Sequence, residues 1–365
     1  MPIVYTAVFA EGCSEAEAVG IRQISAPPAQ VVAFVKSDSL RADSLSSNQG
    51  RVAEGLSVTS GTKLCLSGYT QFRAQFFQPE AGKNNGADVR RIRFTLSGKL
   101  AEQWQFVFQP EFAYSPKALD AYVRYSPFTS LVVTAGEFKI PFSRENLNSA
   151  GKLVFVDRAQ VVEALSARST DVIGNQYGRD IGIQLSGSII GNGGSCLLEY
   201  AAGVFNGSGI NTPDNNNAKD FCGRVVLHPL AGLDIGGSYY NGYDRWGNPL
   251  TSYSRTRLGL ECGFAYRSLA LASEFISGND GPVRKNGWYV QTTWFLIQKV
   301  FQVAARYDVF DSDTGADGMV TVDYVFGLNY FFTQAIKLQA NYVIRREEIT
   351  QIENDVVEIQ LQFGF

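Results

Sequence analysis

The end of the chain alternates without interruption: Val357, Ile359, Leu361, Phe363 and Phe365 share one side of a period of two, and Glu358, Gln360 and Gln362 share the other. Oil on one face and amides or carboxylates on the other, at strand periodicity, describes a strand between two media. The same stripe recurs at about sixteen places from Thr62 onward. It predicts strands over 63–76, 88–101, 103–114, 119–128, 131–142, 179–190, 195–206 and 219–229. A second set follows over 233–244, 255–267, 269–278, 287–298, 300–311, 320–333, 336–347 and 355–365.

The joints between these strands alternate in length. Tight joints fall at 101–102, 127–130, 191–194, 229–232, 267–268, 298–299 and 333–335, and longer polar ones at 78–87, 207–218, 245–254, 279–286, 312–319 and 348–354. Short turns on one side, long loops on the other and both barrel termini on the short side is the rule of outer-membrane barrels. The expected fold class is therefore all-β, a transmembrane antiparallel barrel of about 16 strands whose even count leaves an aqueous lumen. Each strand sorts its side chains accordingly. Arg91, Arg93, Thr95, Ser97 and Lys99 oppose Ile92, Phe94, Leu96 and Leu100, and Gln103, Gln105, Gln109 and Glu111 oppose Trp104, Phe106, Phe108 and Phe112. A soluble β-sandwich also alternates, but it buries its aromatic face and needs no such run of hairpins.

Composition changes this picture little. Charged residues make up 18 %, the formal net charge is −3 and the mean hydropathy is −0.07, as in an ordinary soluble chain. Alternating strands average to neutrality, however, and no run of about eighteen apolar residues offers a helical membrane span. The 36 Gly, 17 Tyr and 25 Phe suit turns and two interfacial aromatic girdles. Ahead of the barrel at 62–365, residues 1–61 form a polar leader that lacks the basic start of a secretory signal and reads as a periplasmic tail. Its Ala10-Glu11-Gly12-Cys13 only faintly matches a lipoprotein cleavage site.

One connection is oversized. Residues 143–178 form the third long loop, and a stretch of that length inside a compact fold is usually functional. Asp157 followed by Gln160 predicts a helix start with a side-chain cap, and Val161, Val162 and Leu165 give that helix an apolar face. Its position favours a loop folded inward to narrow the pore over one packed across the mouth. The charge is unevenly spread: +4 over 61–180 and −5 over 181–365. Arg91, Arg93, Arg124 and Lys139 on the inward faces near that loop, with Arg144 and Arg158 from the loop itself, are the candidates for a constriction that attracts anions. Simple pairing with Glu111, Asp120 and Glu137 on the same wall is the alternative, although a paired guanidinium keeps spare donors.

Four segments carry a resemblance. Residues 90–99 (RRIRFTLSGK), 119–125 (LDAYVRY), 136–145 (GEFKIPFSRE) and 177–187 (YGRDIGIQLSG) resemble the phosphate-selective porin O and P family, and the likeness extends over most of 62–365. The resemblance implies a sixteen-stranded channel in the outer membrane of Gram-negative bacteria, usually a homotrimer, with an inward-folded third loop. It also implies an arginine-rich lumen and a lysine-bearing constriction that draw in phosphate or polyphosphate. The loop here mixes Arg144, Lys152, Arg158 and Arg168 with Glu145, Asp157, Glu163 and Asp171. In porins of this kind the terminal aromatic on the lipid face is read by the barrel-assembly machinery, which makes Phe365 the expected assembly signal.

Other chemistry is sparse, and neither a cofactor nor a metal is expected. The single histidine, His228, sits beside Pro229 at a short turn, so a Ser–His–Asp arrangement has no base and an enzyme is not expected. Asp311, Asp313 and Asp317 lack the fifth and twelfth ligands of a calcium loop. Aromatic and basic residues interleave at strand period and face opposite media, so no nucleic-acid surface is expected. Five cysteines make no disulfide framework. Parity sends Cys196 and Cys262 to lipid and Cys65 and Cys222 to the lumen, all as free thiols. Two functional classes fit: a passive channel for small hydrophilic solutes, with anion or phosphate preference, and a structural or partner-binding barrel docked in an envelope complex.

Overall fold

The computed structural model describes residues 57–58, 62–191 and 194–365. The expected leader over 1–61 and its Cys13 therefore lie outside the described residues, apart from a two-residue strand β1 (Ser57–Val58) that pairs with the start of β2 (Thr62–Phe77). The wall continues through β3 (Gly86–Ala101), β4 (Trp104–Glu111), β5 (Lys117–Phe128), β6 (Leu131–Lys139), β7 (Arg179–Ile190), β8 (Cys196–Phe205) and β9 (Asp220–Leu230). It is completed by β10 (Leu233–Trp246), β11 (Thr251–Tyr266), β12 (Leu269–Asp280), β13 (Val283–Ile297), β14 (Phe301–Asp311), β15 (Val320–Phe331), β16 (Ile336–Glu347) and β17 (Val356–Gly364). Every strand from β2 to β17 pairs antiparallel with its chain neighbour, and β17 returns to β2 from Val356↔Phe77 to Gly364↔Tyr69. Closure of sixteen strands leaves no sheet edge, as a lipid environment demands.

The burial is inverted relative to a soluble sandwich. On β11, Arg257 and Glu261 are 1 % and 6 % exposed while Leu258 and Leu260 are 50 % and 55 % exposed. Large apolar side chains such as Phe326, Leu328, Ile359 and Phe363 form the outer surface, and buried polar groups such as Gln339, Asn341 and Gln360 line the inside. That distribution is stable in a bilayer and would cost heavily in water, where such a belt aggregates. The alternation read from the sequence therefore separates lipid from lumen.

Several boundaries differ from the sequence reading, with a common cause. The polar stretch 279–286, expected as a long loop, is mostly strand: β12 runs to Asp280 and β13 begins at Val283, leaving a tight turn with Gly281 at φ 58°. Asp280 points inward and takes ion pairs from Arg255, Arg257 and Lys285, so its polarity serves the lumen and not a loop. Two bulges matter more, because one extra residue changes which face a side chain takes. On β3 the register passes from Gln71↔Arg91 to Phe72↔Val89, so Arg90 is the inserted residue and reaches inward to Val156 O and Asp157. On β8 it passes from Ile189↔Leu198 to Ile190↔Cys196, inserting Leu197 and turning the Cys196 sulfur inward, toward Glu199 and His228 and not toward lipid. All four described cysteines are free, with Cys222 buried in the lumen and Cys262 on the outer face.

Phe365 completes the outer stripe. Its backbone exchanges two 3.0 Å hydrogen bonds with Gly68, and its ring lies 5.6 Å from that of Phe94, reaching over β2 to β3. Gly68 makes the space, since a Cβ there would meet the Phe365 ring at 2.7 Å and Arg93 O at 2.5 Å. Deleting Phe365, or introducing Gly68→Val, is expected to lower the level of folded barrel in the outer membrane far more than removing loop residues 350–354. Unchanged levels of heat-modifiable protein on gels would refute this role.

Candidate functional site: the loop-lined lumen

Residues 140–178 run through the inside of the barrel, bonded to inward-facing side chains around most of its circumference. Glu274 on β12 accepts from the backbone N of Arg144 and Glu145 at 3.0 and 2.7 Å. Gln71 on β2 donates to Ala150 O, Lys337 and Gln339 on β16 donate to Leu153 O, and Asn329 on β15 donates to Val154 O. Arg306 on β14 donates to Asp157 O, and Arg255 on β11 grips Asp171 at 3.0 Å with two hydrogen bonds. Polar wall residues thus replace the water that an irregular backbone would otherwise require.

Two short helices organise the loop. Helix α1 (Arg144–Leu147) follows Ser143, whose φ is 64° and whose Oγ accepts from Asn146 N at 3.2 Å, an N-terminal cap. Helix α2 (Gln160–Leu165) begins after Ala159, not Asp157, and has no side-chain cap of its own. Asp157 is drawn to Arg90 instead, while the free N–H groups are met from elsewhere: Asp308 on β14 accepts from Gln160 N at 2.9 Å and Glu145 accepts from Ala159 N at 2.8 Å. A capping carboxylate 148 residues away leaves no local sequence signal.

The apolar face read from Val161, Val162 and Leu165 is real and fully buried, but it packs against the barrel wall. It joins Phe138, Phe142, Phe205, Cys222, Tyr240, Ile276 and Tyr289 in one core, and Phe155 joins Ala304, Val325 and Val343 in a second. Wall glycines supply the room. A Cβ at Gly287 would meet Val161 at 2.9 Å, and one at Gly327 would meet Phe155 at 3.0 Å. The lumen is therefore partly a protein core, and the loop is fixed by side-chain packing as well as by hydrogen bonds.

The six basic candidates separate into two kinds. Arg93 is buried and ion-paired to Glu111 at 2.7 Å, as the pairing alternative expects. Of the other two carboxylates, Asp120 takes Arg179 at 2.7 Å, and Glu137 accepts from the backbone and side chain of Asn211. Lys139 donates to the carbonyls of Leu147 and Asn148 at 2.9 and 3.0 Å, the favourable place for a cation at the end of α1. Arg158 bonds Glu145 O and Asn148 O within the loop, and Arg144 reaches Asp234 on β10 at 3.0 Å. Arg91 hydrogen-bonds Gln71, and Arg124 has a buried Nε without a partner among the described residues. Neither has a carboxylate partner among them.

A family model described as phosphate-selective porin O and P matches residues 65–240 and 211–365, which together cover the barrel from Cys65 to its end. The chain belongs to this porin family. Among solved structures, the anion-selective porin from Comamonas acidovorans aligns with a TM-score of 0.62 at 13 % identity, covering 84 % of this chain and 100 % of that one. The outer membrane channel DcaP of Acinetobacter baumannii gives 0.60 at 11 %, covering 86 % and 100 %, and OprB of Pseudomonas putida gives 0.61 at 11 %, covering 84 % and 94 %. No curated protein matches the chain. The porin assignment fixes the site of action as the bacterial outer membrane, with the lipid bilayer around the apolar stripe.

Residues of this porin that sequence reasoning passed over hold the loop in place. Arg255 is the largest such tie: buried, it contacts Asp171 from the loop, Asp244 on β10 and Asp280 on β12. Arg168 bonds Asn146 Oδ1 and Tyr177 O. Burial, and then the neighbouring Arg158, push the Arg168 guanidinium pKa well below its ordinary value, and burial lowers that of Arg158 against the pull of Glu163 and Glu145. These shifts mark a crowding of positive charge beside the β3 wall. A signal for Arg90 existed, since strict alternation would have put an arginine in lipid, and a bulge is the way out of that conflict. Asp311 and Asp313 accept from backbone N–H groups two residues on, an Asx-turn arrangement.

Proposed function

We propose that this porin is a passive, anion-preferring diffusion channel for small hydrophilic solutes, with selectivity set where the inward loop faces β2–β5. One observation supports this above others: Arg91 and Arg124 face the lumen with no carboxylate partner among the described residues, and Arg90, Arg93 and Arg158 are among the charged neighbours of Arg91. A guanidinium held by neutral partners keeps donors for a passing phosphate or carboxylate, and its fork geometry suits both. The concentration gradient supplies the driving force, and no bond is made or broken. A homotrimer fits the family, and one similar fold is recorded in trimer form, OmpT of Vibrio cholerae. Recognition of Phe365 by the assembly machinery belongs to the same reading.

The test is the reversal potential of the purified porin in a planar bilayer under a KCl gradient. An anion-selective sign is expected, with discrete conductance steps. Cation selectivity, or a silent barrel, would defeat the proposal.

A further inference from the structure

At the short-turn rim of the barrel, three different metal-binding side chains converge. Cys196 begins β8, Glu199 follows one turn of the pleat later, and His228 lies near the end of β9. The Cys196 sulfur, a Glu199 carboxylate oxygen and a His228 ring nitrogen lie within 4.8 Å of one another. Their meeting depends on the Leu197 bulge, which turns Cys196 to the side of Glu199.

The histidine is already oriented. Its Nδ1 lies 2.8 Å from Asp234 Oδ1 on β10, and the other oxygen of Asp234 is held by Arg144 at 3.0 Å. Its Nε2 is buried without a hydrogen-bond partner and lies 3.6 Å from Glu199 Oε1, too far for a good bond. A carboxylate on one ring nitrogen and an empty site at the other is the arrangement that fixes the tautomer of a metal-binding imidazole and raises its basicity. Donors around a tetrahedral Zn²⁺ stand about 3.5 Å apart, given metal–ligand distances of about 2.0–2.3 Å. The Glu199 and His228 donors, 3.6 Å apart, stand at that spacing, and the Cys196 sulfur lies within 4.8 Å of the donor atoms of both residues.

We propose that Cys196 Sγ, His228 Nε2 and Glu199 Oε1 bind a borderline-soft divalent cation of the Zn²⁺ class at the periplasmic rim, with Asp234 as the positioning residue and one coordination position open to water. Thiolate plus imidazole selects Zn²⁺ or Co²⁺ over Mg²⁺ and Ca²⁺, which prefer oxygen sets. The cysteine proton leaves as the ion binds. A bound ion ties β8 and β9 together where the pore opens toward the periplasm.

The experiment uses the full-length porin, folded in detergent and reduced, and titrates it with Co²⁺ and then with Zn²⁺ in competition. One Co²⁺ per chain is expected, with a thiolate-to-metal absorption band that Zn²⁺ abolishes. Cys196→Ser should remove the band, His228→Gln should weaken binding at least tenfold, and Asp234→Asn should weaken it by roughly 10–100-fold. Heat-modifiable gel mobility confirms that each variant is folded, and any variant that fails this check is replaced by carboxymethylation of Cys196 in the folded wild type, which should block the band. Absence of the band in the wild type, or an affinity indifferent to both the cysteine and the histidine changes, overturns the site.

Discussion

Replacing Arg255 by Met is expected to release the second half of the inward loop and raise the single-channel conductance. The side chain is 2 % exposed and is shared by Asp171, Asp244 and Asp280, so its loss leaves three carboxylates around a buried space with no common cation. Removing one partner of a buried ion pair typically costs ~3–5 kcal/mol, because the remaining charge is stranded. The barrel itself has its ladder of interstrand hydrogen bonds, and the loop limb around Asp171 has far fewer ties. The cost should therefore fall on the loop: Asp171 leaves the wall, and the pore widens while the barrel stays closed. Arg255→Lys keeps a charge but lacks the planar fork that serves several carboxylates at once, so an intermediate conductance is expected. Bilayer recordings and the heat-modification midpoint decide it. Wild-type conductance with a wild-type midpoint in Arg255→Met would show that the loop does not depend on this hub.

The sixteen wall strands were legible because two solvents act on every one of them, and a period of two survives even where individual residues vary. Val357 to Phe365 shows how little is needed. What could not be read comes from interactions with no local trace. The Arg90 and Leu197 bulges change no composition and insert only one residue each, yet they decide the facing of Arg90 and Cys196. Helix α2 is capped by Asp308 from across the lumen, so the sequence signal at Asp157 pointed to the wrong residue. The docking surface for the loop did leave a mark. Ile276, Tyr289, Val325 and Val343 are apolar at inward positions of otherwise polar stripes, as are the small Gly287 and Gly327. Apolar residues in an aqueous lumen have no purpose unless something covers them, and residues 153–165 do.

Replacing Arg91 and Arg124 together by Gln is expected to lower the anion-to-cation permeability ratio sharply at low salt. Lys139, though on the same inward face, is a poor choice for this test because its ammonium holds two carbonyls at the end of α1, so its removal also moves the loop. Lys285 cannot serve as a neutral control, since its ion pair with Asp280 at 2.8 Å joins it to the Arg255 hub. Lys299, exposed in the turn between β13 and β14, serves instead. A unit charge about 4 Å from a passing ion contributes ~1 kcal/mol in water and ~4 kcal/mol at an effective dielectric near 20, so even the lower figure gives roughly a fivefold change. Screening sets the salt dependence. The Debye length is about 30 Å at 0.01 M and about 3 Å at 1 M, so the loss of selectivity should be large in dilute KCl and small in concentrated KCl. Reversal potentials of the double variant, of Lys299→Gln and of the wild type across that range measure the effect. If Lys299→Gln shifts selectivity as much as the arginine pair, or if the pair shifts nothing, the arginines beside the loop serve only to satisfy a polar wall.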